Sequence, residues 1–311
     1  MENKHPGTFE MIRGHGLIAM LVPLLISTCM AIIITGRLNT SGLLLAAVVG
    51  FSIHISMNVY NDIYDTKQGS DTLDSSKSLF SGGSAILLSN PELEGKMFTI
   101  ARAGLLVGFL GTLGLMYVSE YHLWPVFIFI YLTASFLSKY YTARPFKFAY
   151  RGLGEIVVWF GFGPLAILLG AAAQGVPFHP LILSIMPITG ISTLLFAWSG
   201  EMVDMPYDMQ ANKRGLVLRI GLKNSIYVLF ILHMLLIGNV LFVSYILTDG
   251  WIIVLTMIPY LIILPKIFAD LRGSTEHRTK VLKGAKMNFF SFLIFSLTIM
   301  LGFIMMALKS I

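Results

Sequence analysis

Apolar stretches of about 20 residues recur along the whole of this chain, and they leave few folds open. A run of that length crosses the hydrocarbon core of a bilayer as a helix. In lipid, only helices and closed barrels satisfy their own backbone groups, and the ten-residue alternating segments of a barrel are absent from the sequence. Nine spans are predicted, at roughly 15–36, 41–64, 98–119, 122–142, 153–173, 179–203, 222–247, 251–270 and 286–308. Composition agrees: 56% of the 311 residues are hydrophobic and 12% are charged, against about 25% charged in a soluble domain. The expected fold is all-α, a polytopic membrane protein with nine transmembrane helices in one bundle. No shift in composition divides the chain, so residues 1–311 are expected to form a single transmembrane domain.

The first residues, "MENKHPGTFEMIRGHG", are polar and lead into an apolar run long enough to stay in the membrane, so no cleavable signal is expected. The single cysteine, Cys29, excludes an intrachain disulfide and a thiolate metal cage. The net charge of +6 does not call for nucleic acid, because the bases are sorted by side. Twenty of the 22 Lys and Arg fall on the N-terminal segment and on the loops after spans 2, 4, 6 and 8, from Lys4, Arg13 and Lys77 to Lys286. Arg37 and Lys309 alone lie opposite. The positive-inside rule places the N-terminus and the even-numbered loops in the cytoplasm, as in a bacterial or archaeal plasma membrane. Most of these bases serve topology and contact with anionic lipid.

The acids are distributed differently. Six of the 16, Asp62, Asp65, Asp71, Glu201, Asp204 and Asp208, sit in two short segments at the cytoplasmic ends of spans 2 and 6. These segments read "NVYNDIYDTKQGSD" and "SGEMVDMPYDMQANKRG". Asn58, Asp62 and Asp65 are spaced i, i+4, i+7, Asn61 and Asp65 i, i+4, and Glu201, Asp204 and Asp208 i, i+3, i+7, so each set shares a helix face. Like charges gathered near a bilayer repel and lose hydration, so a cation is expected among them. Hard oxygen donors suit Mg²⁺, which combines a few carboxylates with water and phosphate. Lys67, Lys213 and Arg214 follow the acids closely, and cations beside a metal–carboxylate cluster suggest a bridging anion such as a diphosphate. The plainer reading, helix-end charges solvated among headgroups, fits a single Asp better than two matched segments on one side.

A third segment, "KYYTARPFKFAYRGLGEIVVWFGFGPL", joins spans 4 and 5. Its Tyr141, Arg144, Lys147 and Arg151 are suited to phosphate oxygens, though a topological loop with interfacial aromatics would look similar. Glu155 fits either a salt bridge to Arg151 at i, i+4 or a substrate role. Phe51, Trp159, Phe160 and Trp198 read first as packing residues and second as walls of a cavity.

Together these residues resemble the UbiA superfamily of intramembrane prenyltransferases, with its nine transmembrane helices and its N-x-x-x-D and D-x-x-x-D motifs on helices 2 and 6. The motifs stand here as Asn61-x-x-x-Asp65 and Asp204-x-x-x-Asp208. Within the superfamily, "NDIYDTKQGSD", "YYTARPFKFAYRGLGE" and "GFGPLA" look like the 1,4-dihydroxy-2-naphthoate polyprenyltransferase branch of menaquinone synthesis. The chain departs from that branch before the second motif, where Gly200 and Glu201 replace a pair of asparagines. It also has Asn212 and Gly215 where the branch usually has Gly and Thr in G-K-R-T.

The resemblance implies a Mg²⁺-dependent transfer of a polyprenyl group from an allylic polyprenyl diphosphate to an aromatic acceptor held at the lipid bilayer. Asn61, Asp65, Asp204 and Asp208 would be the catalytic and metal-binding residues, with Asp71 as an outer contributor. Tyr141, Arg144, Lys147, Lys213 and Arg214 would steady the diphosphate, and Asn58, Arg151 and Glu201 complete the expected substrate-binding set. Three other readings stay open at this point: a different phenolic acceptor, an intramembrane terpene cyclase, and a membrane transporter.

Overall fold

The computed structural model describes residues 6–71, 84–272 and 278–310, so Lys4 and Lys77 of the charge pattern lie outside it. Among the described residues every regular element is helical. The main helices are α1 (Ile18–Thr35), α2 (Thr40–Gln68), α3 (Glu94–Val118), α4 (Trp124–Tyr140), α5 (Gly154–Ala173), α6 (Pro180–Gln210), α7 (Leu216–Ile246), α8 (Trp251–Thr256), α9 (Ile258–Leu271) and α10 (Arg278–Ser310). Eight helices, α1 to α7 and α10, are long and apolar enough to cross a bilayer, and the chain is an integral membrane protein.

The eighth expected span differs. It is broken where α8 and α9 meet at Met257, with Pro259 in the first turn of α9, where the missing N–H removes no helical bond. The break sets Tyr260 into a buried polar network. His233 Nδ1 on α7 meets the Tyr260 hydroxyl at 2.5 Å, and His233 Nε2 meets Asn288 Oδ1 on α10 at 3.1 Å. Asn288 Nδ2 donates to Leu195 O at 2.8 Å and to Ser199 Oγ at 2.9 Å, both on α6. Hydrogen bonds of this kind fasten helices where lipid supplies no hydrophobic drive between them.

Surfaces are inverted relative to a soluble bundle. On α3, Leu106, Phe109, Leu110 and Leu113 form an exposed stripe at i, i+3, i+4, i+7, suited to lipid. The opposite face carries Gly104, Gly108 and Gly111 against α2. A Cβ on Gly104 would lie 2.6 Å from Ser52 O, so only glycine admits the approach that lets Ser56 Oγ donate to Ala101 O at 2.8 Å. A second close approach joins α5 to α6. A Cβ on Gly163 would lie 2.7 Å from Met186 O, and one on Gly190 2.7 Å from Trp159 O. Around Pro164 the α5 backbone loosens into a π-type turn, Gly161–Leu165, which accommodates the proline inside the span.

Two large apolar clusters meet along α1 and α5. One gathers residues of α1 to α5 with Phe292 of α10, the other residues of α1, α5 and α6 to α10. A smaller cluster of Met11, Val59, Tyr60, Ile63, Leu87, Met97 and Ala101 covers the end of α2 that carries the first acidic motif.

Candidate active site

The two acidic segments share one end of the bundle. Asp65, in the last turn of α2, and Asp208, in the last turn of α6, stand on either side of the Lys213 ammonium. Nζ is 4.0 Å from Asp65 Oδ2 and 3.3 Å from Asp208 Oδ1. Asn61 and Asp204 lie one turn earlier on the same helix faces, and both are buried. Asp71 is 6% exposed just past the Gly69 cap of α2, and its Oδ2 has no hydrogen-bond partner among the described residues. Ser70 Oγ donates to Asp208 Oδ1 at 3.1 Å, tying the two segments directly.

Electrostatics follow from this crowding. Burial alone would lower the Lys213 pKa, but Asp65, Asp208 and Glu201 more than offset it and hold the ammonium well above its usual range. Burial, then Asp65 and Asp62, push the Asp71 carboxyl up to about 8. The Tyr150 hydroxyl donates to Asp65 Oδ1 at 2.8 Å. Burial and that carboxylate raise its pKa, so it stays a donor. Burial and Glu201 likewise raise Tyr141.

The loop between α4 and α5 reaches the site through backbone bonds. Gln68 Nε2 donates to Thr142 O at 2.9 Å, and Arg214 N donates to Tyr150 O at 3.1 Å. Lys147, in the left-handed region at φ 49°, brings Nζ to 4.4 Å from the centre of the Tyr150 ring. Partial burial and Arg144 lower its pKa.

The structure places the remaining expected residues as follows. Arg151 turns outward: its Nη2 donates to Pro145 O at 3.0 Å, and its carbonyl accepts from Arg219 Nη2 at 2.7 Å. Glu155 is not its partner. Glu155 Oε1 accepts from Leu216 N at 2.5 Å, satisfying a free donor at the start of α7, and its carboxyl is also hydrogen-bonded to Glu201. Asn58 Nδ2 donates to Ile12 O at 3.2 Å, so this amide holds the N-terminal segment. Lys67 pairs with Glu94 at 2.7 Å, away from the acids. Arg144 and Arg214 are exposed at the rim. Of the cavity aromatics, Trp198 is a packing residue, donating from Nε1 to Ser225 O at 3.0 Å. Phe51 and Phe160 pack on a buried cluster while keeping part of their surface accessible.

Sequence reasoning missed Tyr150, Ser70 and Arg13. Arg13 Nη2 lies 2.9 Å from Asp62 Oδ1, where Ser84 N also donates at 3.3 Å. Asp62 is thereby committed to holding neighbouring segments. The available signal for Tyr150 was a third tyrosine in the basic loop; nothing in sequence set Arg13 apart from the topological bases.

Two carboxylates, Asp65 and Asp208, against one ammonium leave net negative charge, and their oxygens, with those of buried Asp204 and the Asn61 amide, are a hard donor set that fits Mg²⁺. Among the described residues no three His, Cys, Asp or Glu side chains gather into a group that could hold a metal ion by themselves.

Residues 20–293 match the model of the UbiA prenyltransferase family. The chain belongs to that family. Among curated proteins it is 27% identical over 203 residues to a 2-carboxy-1,4-naphthoquinone phytyltransferase of Synechocystis sp., covering 65% of this chain and 62% of that one. It is 24% identical over 216 residues to a chloroplastic 2-carboxy-1,4-naphthoquinone phytyltransferase of Arabidopsis thaliana, covering 67% and 53%. The chain thus spans between about half and two thirds of the length of these relatives.

The fold is similar to that of a UbiA homologue from Archaeoglobus fulgidus bound to DMAPP and Mg²⁺, with TM-score 0.64 and 14% identity over 94% of this chain and 98% of that one. It is also similar to a digeranylgeranylglyceryl phosphate synthase, with TM-score 0.62 and 19% identity over 96% and 97%. Two local departures from the UbiA branch pattern now have physical reasons. Asn212 stands at φ 54°, a conformation that glycine and asparagine tolerate best. A Cβ on Gly215 would lie 3.1 Å from Glu201 Oε2 and 3.5 Å from Glu155 Oε1. The bare glycine therefore leaves room for the carboxyl that replaces an asparagine.

Proposed function

We propose that the chain transfers a polyprenyl group from an allylic polyprenyl diphosphate to a hydroxylated aromatic acceptor, 1,4-dihydroxy-2-naphthoate in a route to menaquinone. The observation that carries this reading is the pair Asp65 and Asp208, brought from two helices to one half-buried lysine at the end of an apolar bundle. Family membership and the naphthoquinone chemistry of the curated relatives support the same reading. The asymmetry of Lys and Arg supports a cytoplasmic position for this end, in what we take to be a bacterial or archaeal plasma membrane.

Asn61, Asp65, Asp204 and Asp208 would hold Mg²⁺, with Asp71 in support. When bound, the metal offsets the charge of the diphosphate and favours its departure. Lys213 supplies a fixed positive charge beside the leaving diphosphate and shifts from Asp65 and Asp208 toward its oxygens. Tyr150 holds the Asp65 carboxylate in position, and Tyr141, kept protonated, offers a hydroxyl to the diphosphate. Lys147, Arg144 and Arg214 attract the anion at the rim. Arg151, Asn58 and Glu201 act through structure: Arg151 and Asn58 fix loops, and Glu201 shapes the site floor with Glu155. The apolar walls receive the prenyl tail, whose burial stabilises the complex by about 0.8 kcal/mol per CH₂, and they keep water from the allylic cation.

The test is a product assay on purified protein in nanodiscs with Mg²⁺ and a polyprenyl diphosphate. Dihydroxynaphthoate, 4-hydroxybenzoate or no acceptor is supplied in parallel, and products are read by mass spectrometry. A prenylated naphthol that has lost CO₂ supports the reading. Prenylated hydroxybenzoate alone moves the acceptor, a hydrocarbon or alcohol formed without acceptor indicates a cyclase, and no diphosphate release overturns the reading.

A further inference from the structure

Asn61 and Asp65 are the last members of a longer stripe on α2. Positions 54, 58, 61 and 65 run at i, i+4, i+7, i+11 on one face. His54 therefore stands about 10 Å deeper in the bundle than Asn61, two helical turns along the same line. It is 6% exposed, and its Nδ1 is buried with no hydrogen-bond partner among the described residues. One face of the imidazole is set by Phe162, edge-on at a centroid distance of 4.8 Å. Phe162 is in turn carried by the π-type turn Gly161–Leu165 of α5.

The other buried histidine of the bundle is a control within the same molecule. His233 has both ring nitrogens engaged, by Tyr260 and Asn288, as a structural histidine should. An unengaged imidazole nitrogen in an apolar interior is destabilising, and such exceptions to buried hydrogen bonding call for a reason. His54 shares the α2 face of Asn61 and Asp65, on the bundle side of both, so a prenyl diphosphate held by that pair with its reactive carbon pointing inward would direct the carbon toward the level of His54. A neutral imidazole offers one acceptor and one donor, which suits a phenolic hydroxyl.

We propose that His54 is the anchor for the hydroxyl of the aromatic acceptor, a substrate-binding residue that aligns the ring carbon with the allylic carbon. This rests on the prenyl-transfer reading above. The acceptor hydroxyl donates to one imidazole nitrogen, and the role requires no covalent change at His54.

The experiment compares wild type with His54→Ala and His54→Gln in nanodiscs. It measures acceptor kcat/KM with dihydroxynaphthoate and with its methyl-ether analogue, and donor affinity with a thiolodiphosphate analogue that does not ionise. His54→Ala is expected to lower acceptor kcat/KM by about 10- to 100-fold and to flatten the preference for hydroxyl over methoxy. Donor affinity stays within about twofold, and His54→Gln, which retains a donor and an acceptor, recovers most of the loss. Unchanged acceptor kinetics in His54→Ala would overturn the assignment. So would an equal loss of donor affinity, or a Gln variant as poor as the Ala variant. A wild-type protein that binds the donor analogue but prenylates no hydroxyarene instead refutes the proposed function itself.

Discussion

Tyr150→Phe is the most informative single change, because it removes one oxygen and little else. The ring stays, with Lys147 Nζ 4.4 Å and Lys213 Nζ 5.7 Å from its centre. What is lost is the 2.8 Å hydrogen bond to Asp65 Oδ1, made between two buried groups, together with a hydrogen bond to Ser70. A hydrogen bond to a charged group is worth about 1.5–3 kcal/mol, and each 1.4 kcal/mol is about a factor of ten. Lys213 at 4.0 Å from the other Asp65 oxygen is too distant to replace it. If Asp65 is a metal ligand, removing this outer hydrogen bond should weaken Mg²⁺ binding or turnover by about 10- to 100-fold. The assay is diphosphate release against Mg²⁺ concentration, with thermal unfolding in the same detergent as the control. An unshifted Mg²⁺ dependence and turnover within twofold of wild type would refute the reasoning, because Asp65 would then need no fixed orientation.

Asp65→Asn and Asp204→Asn are each expected to abolish diphosphate release while the protein still inserts and elutes as wild type; retained activity in either would exclude that carboxylate from the chemistry. Asp71, raised to about 8 by burial and its acidic neighbours, is mostly protonated at pH 7. Its pKa must fall if Mg²⁺ binds beside it, so Mg²⁺ titration at pH 7 should release a proton and affinity should rise as pH climbs toward 8. Equal proton release in Asp71→Asn, measured by calorimetry in buffers of different ionisation enthalpy, would contradict this. Arg13→Ala strands Asp62 as a buried charge and should destabilise by about 3 kcal/mol. Pairing Arg13→Met with Asp62→Leu should recover much of that, and a lowered unfolding temperature in the double variant equal to the single would count against the ion pair.

The bundle was legible in sequence because lipid imposes a length and an apolarity that a window of 20 residues captures. The span expected at 251–270 is helical on both sides of a break at Met257, which hydropathy averages over, just as it is blind to Tyr260 reaching His233. The acidic motifs were legible because carboxylates on a helix face at a membrane boundary have few structural reasons to be there. Basic residues were harder to assign, since a charge that sets topology and one that meets substrate look alike until geometry separates them. Lys213 is drawn in by Asp65 and Asp208, while Arg151 is led outward through Pro145 and Arg219. Tyr150 and Arg13 were hidden for the same reason: their partners are 85 and 49 positions away in the chain, and periodicity carries no such information.

The central claim is that two acidic segments, joined by Lys213, hold a metal-bound diphosphate at one end of the bundle. The direct measurement is a structure of the protein with a thiolodiphosphate donor analogue and Mn²⁺ as an anomalous scatterer. The account predicts manganese within about 2.0–2.3 Å of Asp65 and of Asp204 or Asp208, with Lys213 Nζ moved onto a phosphate oxygen. A diphosphate seated on the arginines of the rim, with no metal between α2 and α6, would contradict it.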